Sequence, residues 1–166
     1  SAAFADQGRL AAEDMVKKLG AEGGEVAVIE GIPGAGQSEA RKQGALGVFE
    51  ANPQVAVVSV QSGRWDRNLA FDIATDLIRA HPKLKGIYCA NDVMALAAAD
   101  SLAVAGKQEG VLIYGTDFIP EARVAIREGK LAGSTTFSQA AWTRGAIVFA
   151  LKLAQQDKNA GGLPER

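Results

Sequence analysis

The sequence predicts an α/β fold: a doubly wound parallel sheet of about five strands with helices on both faces. Three observations carry that expectation. Short valine- and isoleucine-rich runs alternate with longer helix-like runs in the order α(βα)5. Polar or aromatic clusters stand where each strand-like run ends: Gly31 to Gln43, Arg64-Trp65-Asp66-Arg67, Asn91-Asp92, Thr116-Asp117-Phe118 and Phe137 to Gln139. The connections are short, so right-handed crossovers make the strands parallel and bring these clusters to one sheet edge. Ligands bind at that edge in open α/β folds.

The elements follow in order. Leu10, Met15, Val16 and Leu19 suit one face of a first helix, which Gly20 and Gly23-Gly24 end. Residues 25–30 (EVAVIE) read as a short strand buried on both faces. After the loop Gly31 to Gly36, Ser38 or Gln37 is placed to cap a helix that runs to about Ala51 and stops at Asn52-Pro53. Val55 to Val60 is a second strand. Asp66 then caps a helix with Leu69, Ile73, Leu77 and Ile78 inward, closed by His81-Pro82. Lys85 to Cys89 is a third strand, and Asn91 or Asp92 caps a helix whose buried stripe is Met94, Ala97, Ala98 and Leu102. Val111 to Tyr114 is a fourth strand. Pro120 sits in the first turn of the next helix, where its missing N–H costs nothing, and Gly129 ends it. Ala132 to Phe137 is a fifth strand, followed by a long helix carrying Trp142, Ala146, Phe149, Ala150 and Leu153. Gly161-Gly162-Leu163-Pro164 is a loop or linker.

Composition narrows the function. The chain has 166 residues, 48% apolar and 22% charged, which suits one globular domain with a real core. Its net charge of -1 gives little electrostatic support for a nucleic-acid partner. No apolar run reaches the ~20 residues that span a bilayer. The single Cys89 cannot form an intrachain disulfide and reads as a core residue, and the single His81 reads as a helix-end residue. One His and one Cys leave little material for a metal site or Cys-His catalysis, so no metal is expected. The opening Ser1-Ala2-Ala3-Phe4 carries no charged-then-apolar leader and reads as a piece of something longer.

The chemical motifs are mostly excluded by spacing. Gly31, Gly34 and Gly36 do not form G-x-G-x-x-G, and Pro33 removes a backbone donor, so no dinucleotide cofactor is expected. Neither a phosphate-binding G-x-x-x-x-G-K-[ST] nor a G-x-S-x-G elbow occurs. Asp66 and Asp117 could pair for glycoside hydrolysis, but nothing in the sequence fixes their separation or raises one pKa. The expectation is a binding function and not an enzyme.

Three residues suit a sugar. Trp65 is either a loop tryptophan packed on a neighbour or a planar platform for the apolar face of a sugar ring. Asp92 is expected to be the helix cap, leaving Asn91 free to offer one donor and one acceptor to adjacent hydroxyls. Asp117 is either a turn residue or a carboxylate accepting from vicinal hydroxyls, each such bond contributing roughly 1.5–3 kcal/mol.

At these residues the sequence resembles the type I periplasmic sugar-binding proteins of ABC importers, most closely the ribose- and allose-binding group. The matching stretches are Lys18-Leu19-Gly20, GEVAVIEG (24–31), SEARKQG (38–44), RWDR (64–67), IYCANDVMA (87–95) and GTDFIPEA (115–122). The resemblance implies two α/β lobes closing on a monosaccharide, a pentose or hexose, with a membrane ABC permease reading the closed form. It implies that residues 1–160 are the C-terminal lobe, that 161–166 lead toward a hinge segment, and that the N-terminal lobe is absent from this chain. It places the parent protein in the periplasm or another extracytoplasmic space. Residue by residue, Trp65 matches a stacking aromatic, Asn91 an amide bonding ring hydroxyls, and Asp117 a carboxylate accepting from them. Gln43 falls where the group often has Arg, and lacks its charge. Phe137 stands nearest a position often held by Gln, with Gln139 two residues on, a departure that implies a ligand preference different from ribose or allose. Sugar-sensing transcriptional repressors share this architecture, so an effector lobe is the alternative. Half a cleft predicts weak sugar binding by the 166-residue chain alone.

Overall fold

The computed structural model describes residues 2–137 and 147–151. The chain runs α1 (Ala2–Leu19), β1 (Gly24–Glu30), α2 (Gly36–Glu50), β2 (Val55–Ser62), α3 (Arg67–Ala80), β3 (Leu84–Cys89), α4 (Asp92–Val104), β4 (Leu112–Thr116), α5 (Pro120–Arg127), β5 (Gly133–Phe137) and β6 (Ile147–Leu151). The strands form one sheet in the order β2-β1-β3-β4-β5-β6. The first five are parallel, as the alternation predicts. The order reverses between β1 and β3, which opens a crevice at the carboxyl ends of those two strands.

The sheet is wound on both sides because successive strand residues face opposite ways. Val26, Val28, Tyr88 and Tyr114 pack with Ala11, Met15 and Phe49 of α1 and α2. Ala27, Ile29, Ile87 and Cys89 pack with α3, α4 and α5 on the other face. The predicted stripe Met94, Ala97, Ala98 and Leu102 is buried. Cys89 is a core residue as expected, and burial pushes its thiol pKa far up.

Several local expectations are corrected. Leu69 is 36% exposed, and Ala70 takes the inward place on α3. The α2 start is capped by neither Ser38 nor Gln37; Ala35 stands at the N-cap without a side-chain bond, and Ser38 is buried inside the first turn. Asn91, not Asp92, caps α4. The expected last helix gives way at Ile147–Leu151 to a strand antiparallel to β5, pairing Gly133 with Leu151 and Phe137 with Ile147. Ile147, Val148 and Phe149 are strand-favouring types, and the open edge of β5 supplies the partners that their backbone needs. Trp142, Ala146, Leu153 and the 161–166 linker lie outside the described residues.

One contact ties the helices of the first face together. A Cβ on Gly8 would stand 1.9 Å from the Arg41 carbonyl oxygen, and one on Gly44 would stand 1.9 Å from that of Ala5. The α1 and α2 backbones therefore touch directly, which only glycine at both positions allows.

Candidate functional site

The carboxyl ends of the strands are laced together by backbone bonds. The Gly63 N–H donates to Glu30, that of Ala90 to Ile29, and that of Asp117 to Thr135. Trp65, Asn91 and Asp117 follow β2, β3 and β4, and Phe137 ends β5, so these four candidates share one edge. Among the described residues, the non-glycine residues with positive φ are Arg64 (52°), Trp65 (64°), Asp117 (110°) and Phe118 (58°). Each pair contains a candidate residue. Non-glycine residues hold such angles at a conformational cost, and they persist where surrounding contacts fix them.

Trp65 is half-buried, and its six-membered ring covers Gly31 at the end of β1. A Cβ on Gly31 would stand 2.0 Å from Trp65 Cζ2. The indole thus leaves its own strand's end and leans over the neighbouring one. Gly31→Val is expected to push the ring outward. In a Trp142→Phe background, Trp65 emission should shift to the red and be quenched more readily by acrylamide. Unchanged emission would show that the ring does not depend on Gly31.

Asp117 is held by Arg41, whose Nη2 donates to Asp117 Oδ1 at 2.8 Å. The Arg41 side chain is 6% exposed and that of Asp117 is 42% exposed. Nη1 of Arg41 donates to the Ala90 carbonyl at 2.8 Å, and Nε donates to Gln7 Oε1 at 3.0 Å. The Phe4 ring lies 5.6 Å from the guanidinium carbon. Arg41 therefore joins the loop that begins at Ala90-Asn91 to the loop that carries Asp117. Burial raises the Asp117 pKa, and the Arg41 guanidinium opposes the rise.

Asp92 braces the same loop from below. Its Oδ1 accepts from Ser134 Oγ at 2.7 Å and its Oδ2 accepts from the Ile119 N–H at 2.9 Å. Ser134 Oγ in turn accepts from the Phe118 N–H. Burial pushes the Asp92 pKa up to about 7, against the lowering pull of these bonds. Asn91 caps α4 by accepting the Met94 N–H on Oδ1 at 2.9 Å. The cap uses the amide oxygen, so the expectation of an uncommitted Asn91 side chain is corrected.

Gln43 is exposed on α2. The charge expected near that point comes instead from Arg41, two residues earlier, which the sequence reading passed over. A signal was available: Ser38, Arg41, Ala45 and Phe49 are spaced by three and four residues, one buried helical face. Gln139 lies outside the described residues. Two concavities among the described residues, of about 630 and 510 Å³, open at the opposite, amino-terminal edge of the strands.

The periplasmic binding protein domain family matches residues 1–158. The D-allose-binding periplasmic protein of Escherichia coli K12 is 46% identical over 127 residues, 76% of this chain and 41% of that protein. The ribose import binding protein of Salmonella typhimurium is 32% identical over 76% of this chain and 42% of that protein. A solved ABC transporter periplasmic solute-binding protein from Actinobacillus succinogenes, with bound D-allose, is similar with a TM-score of 0.77. It is 35% identical, over 80% of this chain and 47% of that one. The chain thus spans less than half the length of these relatives.

Proposed function

This chain belongs to the periplasmic binding protein domain family, and from that premise we propose that it is one lobe of a monosaccharide-binding protein serving an ABC importer. In this reading residues 1–160 form the C-terminal lobe and 161–166 lead toward the hinge. A second lobe covers the rim, and a membrane permease receives the closed form in the periplasm. The lobe binds and does no chemistry, in keeping with relatives that carry binding-protein names. The same names weigh against the repressor-lobe alternative.

One observation carries the reading. Arg41 draws the Asn91 and Asp117 loops together on the edge that Trp65 shares, where open α/β folds take their ligands. Trp65 offers a stacking face, Asn91 an amide NH2, and Asp117 a carboxylate oxygen beyond the one Arg41 engages. Phe137 ends a neighbouring strand and Gln139 follows; both are assigned to the ligand's margin, with Gln43 at the periphery.

The test is calorimetric titration of a panel of pentoses and hexoses, D-allose and D-ribose among them, into the two-lobed protein that contains this chain. Asp117→Ala is expected to weaken binding roughly tenfold to a hundredfold, the loss of one charge-assisted bond. Unchanged affinity would remove Asp117 from the site. The 166-residue chain alone should bind these sugars weakly or undetectably, because half the enclosing surface is missing.

A further inference from the structure

We propose that Gln7 is a positioning residue of the binding edge: from α1 it fixes the Arg41 guanidinium, and through it the Asp117 carboxylate. The proposal rests on the reading of Asp117 as a ligand contact. Gln7 lies outside every cluster that the sequence marks as functional, and it is 1% exposed. The buried residues of α1 are Gln7, Gly8, Ala11, Ala12 and Met15, so Gln7 is the one polar side chain on an otherwise apolar or small face. A buried amide is costly unless bonded, and here its Oε1 meets Arg41 Nε at 3.0 Å.

A guanidinium is a rigid planar fork, so its orientation is set by where its acceptors stand. Arg41 has three acceptors from three parts of the chain: Gln7 on α1, the Ala90 carbonyl after β3, and Asp117 after β4. The last two hold the terminal nitrogens. Gln7 alone holds Nε, and so stops the plane from turning about its outer edge. Phe4, three residues earlier on the same helical face, lies beside the guanidinium. The close approaches of Gly8 to Arg41 and of Gly44 to Ala5 make this reach possible, since they bring the α1 backbone against α2 next to Gln7.

Without the Gln7 acceptor, Arg41 has a buried N–H to satisfy and a freedom to turn that it lacks now. The charge facing Asp117 then moves. Among the described residues, the other ionisable groups near that carboxylate are Asp92 on α4 and the Tyr88 hydroxyl on β3, with Arg123 of α5 over the adjacent Phe118 ring. None of the three replaces the Arg41 contact.

The experiment is a carbon-detected NMR titration of the Asp117 carboxyl in the 166-residue chain, together with the Arg41 Nε–H resonance. In Gln7→Met, which keeps length and removes the acceptor, the Asp117 midpoint should rise by about half to one pH unit, as expected when an opposed charge is loosened. The Nε–H resonance should move away from its hydrogen-bonded position. Gln7→Glu, which keeps an acceptor for Nε, should hold the Nε–H resonance near its hydrogen-bonded position, while its added negative charge raises the Asp117 midpoint on its own account. Should Gln7→Met not fold, Gln7→Asn, whose amide is withdrawn by one methylene, is read in the same way. A folded acceptor-lacking variant with the parent's Asp117 midpoint overturns the proposal, as does an Nε–H resonance displaced as far in Gln7→Glu as in Gln7→Met. The titration needs no sugar, so failure of the sugar-binding reading would leave its outcome readable and separate.

Discussion

Gly44→Val is expected to lose ~3 kcal/mol or more of unfolding free energy, which for a domain of ordinary stability is a large fraction of the total. The reason is space rather than backbone angle. The added Cβ would meet the Ala5 carbonyl oxygen at 1.9 Å and the Arg9 nitrogen at 3.0 Å. Both are backbone atoms of a helix, so no side chain can swing aside. Even Gly44→Ala must part the two helices, and parting them pulls Gln7 from Arg41. Gly47 is the control within the same helix: a Cβ there meets nothing within 4 Å. Gly47→Ala should therefore stabilise by about 0.5–1 kcal/mol through helix propensity. Urea midpoints of the two alanine variants should fall on opposite sides of the parent. Midpoints shifted in the same direction would mean that the helix contact is not tight.

The second large effect belongs to Asp92. Asp92→Ala leaves Ser134 Oγ and the Ile119 N–H without their acceptor, and is expected to cost ~2–4 kcal/mol. It also releases the two consecutive positive-φ residues, Asp117 and Phe118, that those bonds hold. The pH dependence has a definite sign. The folded carboxyl has its pKa raised from 3.8 to about 7, so between those values the folded chain holds a proton that the unfolded chain has released. Stability from this group is therefore greatest near pH 4 and falls as pH rises toward about 7, by up to ~1.4 kcal/mol per pH unit. Asp92→Asn does not titrate, so its deficit relative to the parent should shrink across that window. Urea unfolding at about pH 4.5 and about pH 7.5 reads the difference; a constant deficit would mean that Asp92 is ionised in the fold throughout.

Much of the architecture was legible in residue order. The alternation of β-branched runs with longer amphipathic ones implied five parallel strands, and the Asp66 cap is bonded to Leu69 as its position implied. The cap of α4 was misassigned because Asn and Asp both cap well, and which one does so depends on where the first turn begins, a matter of one residue. Arg41 was passed over because it stands in a charged run, Glu39-Ala40-Arg41-Lys42, that reads as a solvated helix face. Only its spacing from Ala45 and Phe49 marks it as turned inward. Its partner Gln7 is more than thirty positions away, and no local pattern announces an amide that will meet an arginine across a helix crossing. The strand at Ile147–Leu151 was read as helix because Ala146, Phe149, Ala150 and Leu153 fit a helical stripe as well as a short apolar run fits a strand.

Gly31 acts as a ruler for the rim. Strands in a sheet stand ~4.8 Å apart, so a tryptophan kept above β2 would be about three such steps, or ~15 Å, from a carboxylate above β4. With no side chain at Gly31, the indole crosses one strand and stands over β1 instead. The three candidate side chains then follow or cover the adjacent strands β1, β3 and β4, a reach of about 10 Å. On the proposed reading, a ligand that meets all three at once spans about 10 Å, the breadth of one sugar ring with its hydroxyls, and a longer glycan would overhang the sheet.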